Sequence, residues 1–169
     1  MLSNEYALIS LFAFVTKIIG RKKLQKMVYL LQQAGVPYNL KFRYHHYGPY
    51  SAELQAEIDR LIGHQLLTET YDGVAYTYEI TEQGRSFLQK YKEVIGHFFD
   101  LPIPAVEKLM ETDTSVLEMA STYAYLLEMG YQQQDAINKT EELKPLLKNH
   151  LEEAENLLHS INDCLPQNS

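Results

Sequence analysis

The residues best placed to do chemistry are cations set among tyrosines. Arg21, Lys22, Lys23 and Lys26 fall close together, Tyr29 follows, and Lys41 and Arg43 come soon after. At helical spacing Lys22, Lys26, Tyr29 and Gln33 share one side, with Lys23 beside them, opposite Leu24, Met27, Val28 and Leu31. Basic residues interleaved with an aromatic can track a phosphate backbone, so these seven residues form the candidate nucleic-acid or anion-binding patch. A second use is electrostatic. Residues 1–50 hold seven cations against Glu5 alone (+6) in a chain of net charge −7, which leaves −13 for the remainder. Such a split also suits two halves that attract each other, with Lys22 and Lys26 facing the acidic one.

Other chemistry is sparse. His45 and His46 are the one histidine cluster, and neighbours on a strand point to opposite faces, so one is expected against the second helix and one outside, not both on a metal. The sequence has no Gly-rich phosphate loop, no paired-histidine zinc motif, no Cys-x-x-Cys and no serine in a nucleophile-elbow context. The expectation is a protein that is not an enzyme, with no cofactor, no metal and no evident small-molecule ligand. Cys164 is the only cysteine, which excludes a disulfide within the chain. With 46% hydrophobic residues the chain is globular, yet no apolar run approaches the ~20 residues that span a bilayer. The apolar stretch Ala7 to Val15 lacks a basic segment before it, so it is expected to be a buried helix and not a signal peptide, and the location cytoplasmic.

The elements that position these residues follow from periodicity and punctuation. A first helix, capped by Ser3 or Asn4, is expected to reach about Ile19, where Gly20 stops it, and a second to run from Arg21 to Ala34. A strand or extended loop from Leu40 to Tyr47 is broken by Gly48-Pro49, and Ser51 caps a third helix to about Gln65. Leu66 to Ile80 reads as a hairpin around Asp72-Gly73, and Thr81 caps a fourth helix with Phe87, Leu88, Tyr91 and Val94/Ile95 as core positions. Pro102 and Pro104 mark a joint. Beyond it, Ser115 to Glu118 reads as a capping box opening a helix to Met129, a short polar helix lies near 135–138, and a last helix has Pro145 near its start. The predicted fold is mainly α with a small β-hairpin: a winged helix-turn-helix domain over 1–99, a C-terminal α-helical extension over 100–165 packing on it, and a tail over 166–169.

In such a fold the third helix reads DNA. Its exposed face holds Ala52, Ala56, Arg60 and Gly63, flanked by Glu53 and Asp59, and with Glu57 the helix carries net −2. A duplex with about one negative charge per 1.7 Å repels such a helix. Small residues along one face let another helix approach closely, so these four are candidate partner-packing positions.

Lys23-Leu24-Gln25-Lys26 with Tyr29-Leu30-Leu31, followed by Tyr47-Gly48-Pro49-Tyr50-Ser51 at the start of the third helix, resembles the YwgA-like proteins of Gram-positive bacteria. The layout is distantly similar to Panacea-type antitoxin domains. The resemblance covers residues 20–90 best and brings no catalytic residues. Together with the residue chemistry it implies a non-catalytic regulatory protein acting through a homodimer or an antitoxin-like protein partner. The alternative is a transcriptional regulator that binds DNA through the basic second helix. No membrane partner is expected.

Overall fold

The computed structural model describes residues 2–97 and 99–165. Helix α1 (Leu2–Val15) is apolar on almost every side, and Tyr6 to Ile9, Leu11 and Phe12 are all buried, so it sits inside the core instead of along its surface. It begins ahead of Asn4, which therefore lies within the helix and not at its cap. It also stops earlier than predicted. Thr16 turns the chain at a φ of 68°, and Lys17–Ile19 leaves as strand β1 with Ile18 buried and Ile19 exposed. Local spacing could not reveal this, because what stabilises β1 is its pairing with residues 77–79, some sixty positions away.

Helix α2 (Arg21–Gln33) follows, then a tight hairpin of β2 (Arg43–His45) and β3 (Gly48–Tyr50), then helix α3 (Ala52–Gly63). Gly48-Pro49 does not simply end the extended segment. Gly48 has a φ of 91°, and residues 48–50 turn back to pair with β2, Tyr44 opposite Pro49. The hairpin β4 (Leu67–Tyr71) and β5 (Tyr76–Ile80) closes as predicted, with the Asp72 carboxylate accepting from the amides of Val74 and Ala75, both at 2.8 Å. The three-stranded antiparallel sheet has the order β1-β5-β4. Helix α4 (Glu82–Ile95) starts at Thr81, whose Oγ1 accepts from the Gly84 amide at 2.9 Å. Leu88 is buried, but Val94 and Ile95, expected in the core, are 80% and 57% exposed.

The second half departs further from expectation. The proline joint is the opening of a helix, α5 (Ile103–Glu111), where Pro104 falls in the first turn and costs no hydrogen bond. Helix α6 (Thr114–Glu128) opens at Asp113, and Ser115 and Glu118 form no capping box. Helix α7 (Gln133–Leu143) is longer than the predicted short segment, and Pro145 begins a 3₁₀ turn (Pro145–His150) before α8 (Leu151–Asp163). The predicted tail, 166–169, lies outside the described residues. Helix α6 is buried along most of its length between α2 and α8, and one continuous apolar cluster joins residues of α1 and α2 to Val116, Leu117, Met119 and Ala120 of α6 and Leu157 and Ile161 of α8. The protein is therefore mainly helical with two small antiparallel sheets.

Candidate functional site

The cations of α2 do not form an open surface. Helix α6 lies against the side that carries Lys26 and Tyr29, so α2 is buried from Leu24 to Leu31. Lys22 Nζ pairs with the Glu118 carboxylate at 3.2 Å and lies 4.0 Å from the Tyr47 ring centre. Lys23 donates to the Met110 carbonyl at 2.6 Å, and Lys26, 2% exposed, donates to the Pro49 carbonyl at 2.7 Å. The Tyr29 hydroxyl donates to Glu128 at 2.8 Å, and burial together with that bond pushes its pKa up. Arg21 stacks over Tyr76 at 3.7 Å, donates to the Tyr78 hydroxyl at 3.1 Å and reaches Glu69 at 3.5 Å. Lys41 and Arg43 are exposed.

These contacts hold the short hairpin in place from two sides. Lys26 grips it through Pro49, and Lys144, at the end of α7, donates to the His46 carbonyl while pairing with Glu118 at 3.0 Å. Gln25 clamps the start of α3. Its Nε2 donates to the Ser51 carbonyl at 3.0 Å and its Oε1 accepts from the Ser51 amide at 2.9 Å, while Ser51 Oγ accepts from the Leu54 amide at 3.1 Å. The tyrosine-glycine-proline-tyrosine-serine run is thus a docking loop: Gly48, Pro49 and Ser51 are buried, Tyr50 is half-buried and Tyr47 is exposed. Both histidines are exposed, contrary to the expectation that one packs on α2, because the hairpin meets that helix through β3, with Gly48 and Pro49 buried, and not through β2. His45 faces Tyr50 at 5.0 Å. Among the described residues no group of three or more His, Cys, Asp or Glu side chains is placed to hold a metal ion.

The face of α3 is open. Ala52, Ala56 and Gly63 are exposed, and Arg60 is half-buried with its guanidinium on Glu57 at 2.7 Å. Among the described residues α3 packs mainly on β4 and α1. Between α3, the start of α2 and the β2–β3 hairpin lies a cleft of about 600 Å³. Glu118 and Lys144 are the residues that sequence reading missed. The −13 charge of the second half pointed to a partner for Lys22, but nothing local singles out Glu118, whose spacing from Ser115 mimics a capping box.

Burial pushes the Lys26 amine down from its ordinary 10.5 to about 7, with Lys144 and Lys22 adding to the effect and Glu118 opposing it. Between those values the unfolded chain binds the proton and the folded chain does not, so stability rises with pH, by up to about 1.4 kcal/mol per unit. Below about pH 7 both states are protonated and the gain is gone. Unfolding by guanidinium is expected to show stability climbing from about pH 7 to pH 9, and Lys26→Met to flatten most of that climb. A variant as steep as the wild type would locate the titration elsewhere. The rise ends near pH 10, where Tyr29, Tyr38 and Tyr78, all pushed up by burial, begin to ionise in the unfolded chain only.

The architecture and site define a mainly helical protein in which a Gly-Pro hairpin is pinned between two helical layers. No protein-family model matches the chain. It is 33% identical over 133 residues to the uncharacterised protein YwgA of Bacillus subtilis, which covers 74% of this chain and 75% of that one. The chain belongs to the YwgA-like family. No helix among the described residues is long and apolar enough to cross a membrane.

Proposed function

We propose that this is a non-catalytic winged-helix regulatory protein that acts by contact with another protein. The order α1–β1–α2–α3–β4–β5 with its three-stranded sheet supports the winged-helix assignment, and the helices from α5 onward are its extension. The observation that carries the reading is the exposed face of α3, small at Ala52, Ala56 and Gly63 and acidic at Glu53 and Asp59. Such a face repels a duplex but lets the backbone of a basic helix approach closely. The competing DNA reading draws on the same patch, in which the ammonium groups of Lys22, Lys23 and Lys26 are engaged with Glu118, Met110 and Pro49, while Lys41 and Arg43 are exposed.

Light scattering together with a pull-down from native lysate tests this. The wild type is expected to run as a dimer or to recover a discrete partner, and Ala56→Lys, at an exposed position, to abolish that association with the fold intact. A strict monomer that recovers nothing, or an association that Ala56→Lys leaves untouched, overturns the proposal. So does salt-dependent duplex binding that Lys22→Glu with Lys23→Glu removes.

A further inference from the structure

The cleft beside the Gly-Pro hairpin has a lining unlike the rest of this acidic molecule. Two sets of residues line it: Arg21, Lys22 and the buried Lys26 of α2, and the aromatic His45, Tyr47 and Tyr50 of the hairpin. Gln55 and Asp59 of α3 complete it, joined to each other by a hydrogen bond of 2.8 Å. Arg21 and Lys22 bring positive charge to a lining whose one carboxylate is Asp59, Lys22 sharing its charge with Glu118 and Arg21 with Glu69. Its volume of about 600 Å³ falls within the ~300–1,000 Å³ of small-molecule sites.

The two sets of residues ask for different parts of one ligand. Arg21 holds its guanidinium through Tyr76, Tyr78 and Glu69, a fixed fork that keeps Nη1 to offer an anion. Tyr47 leaves 59% of its surface uncovered and lies beneath Lys22, so a flat ring can stack on it next to a positive charge. Asp59 Oδ1 already accepts from Gln55, and the carboxylate keeps further lone pairs for a ribose hydroxyl or an exocyclic amine. We propose that this cleft binds a small organic anion built on a planar ring, of the nucleoside-monophosphate class. The cleft adjoins the α3 contact surface and shares Asp59 with it, but its ligand is held by residues of α2 and the hairpin that the contact surface does not use.

Isothermal titration of the full chain with the four nucleoside monophosphates, adenosine, inorganic phosphate and a short single-stranded oligonucleotide tests it. At least one monophosphate is expected to bind at sub-millimolar concentration, with adenosine and phosphate each at least about tenfold weaker. Tyr47→Ala, which removes an exposed ring, is expected to weaken binding by about tenfold or more, the size of one lost stacking partner. Arg21→Gln is expected to do the same, with thermal unfolding reporting that the fold is intact. Gln55→Trp is expected to block the cleft. Failure of every monophosphate, affinities unchanged in Tyr47→Ala and Gln55→Trp, or binding of inorganic phosphate as tight as that of the nucleotides would each overturn the assignment. Binding of the oligonucleotide alone would also overturn it and give the cleft to a nucleic-acid strand. Titration reads the cleft and light scattering reads the α3 face, so either proposal can fail without the other.

Discussion

Glu118→Ala is expected to cost the fold about 3–5 kcal/mol, the range seen when one partner of a buried ion pair is removed. Glu118 sits on α6 with its carboxylate between Lys22 at 3.2 Å and Lys144 at 3.0 Å, and its side chain and that of Lys144 are only 8% and 7% exposed. Lys22 is a third exposed and can swing into water, whereas Lys144 cannot. Alanine therefore leaves Lys144 buried with the His46 carbonyl and the more distant Tyr44 ring but no counter-charge in contact, in a pocket that already holds Lys26. Because natural domains have only about 5–15 kcal/mol in total, the loss should be plain in a guanidinium unfolding curve. Glu118→Gln keeps the volume and one acceptor and should cost less. The diagnostic comparison is Glu118→Leu combined with Lys144→Met, which removes both charges and should recover most of the stability. A loss under about 1 kcal/mol for Glu118→Ala would show that the bridge contributes no more than a surface pair.

What sequence reading captured and missed here divides by the range of the interaction. The caps at Ser51 and Thr81 and the Asp72-Gly73 turn rest on bonds within three residues, and each forms as its local chemistry requires. Strand β1 was hidden because its partner is β5, and periodicity alone extended the first helix across it. The site was misread for the same reason. Lys22, Lys26, Tyr29 and Gln33 do share one side of α2, and periodicity leaves open whether it meets an anion or the acidic half. Glu118 and Glu128, about a hundred positions away, settle it, with Lys26 and Tyr29 buried and Gln33 exposed at the rim. The acidic character of the second half foretold the attraction in general terms. Only the fold says which carboxylates supply it, and that the cations left beside a void are Arg21 and Lys22 at the cleft.

Gly84→Ala should lower stability by about 2–4 kcal/mol and the melting temperature by about 5–15 °C, although alanine is the better helix former by ~1 kcal/mol. A methyl group at this position would lie 2.4 Å from the Leu66 carbonyl oxygen and 2.8 Å from Ile80 Cγ1. Neither can step aside cheaply. The Leu66 oxygen is backbone and accepts from the Thr81 amide at 3.1 Å, and Thr81 Oγ1 in turn caps α4 through Gly84. Relieving the clash therefore shifts the connection between β5 and α4 and weakens the cap, so an overpacking cost of about 1–3 kcal/mol adds to a cap loss of about 1 kcal/mol. Gly63→Ala is the matched control, since nothing lies within 4 Å of its added methyl, and it should change stability little. If Gly84→Ala proved as mild as Gly63→Ala, the close approach of α4 to the start of β4 would not be a fixed feature of the fold. The glycine in the Thr-x-x-Gly run would then be incidental. If the large difference appears, that glycine is the contact that lets α4 seat against the β4–β5 hairpin, a packing requirement with no part in ligand binding.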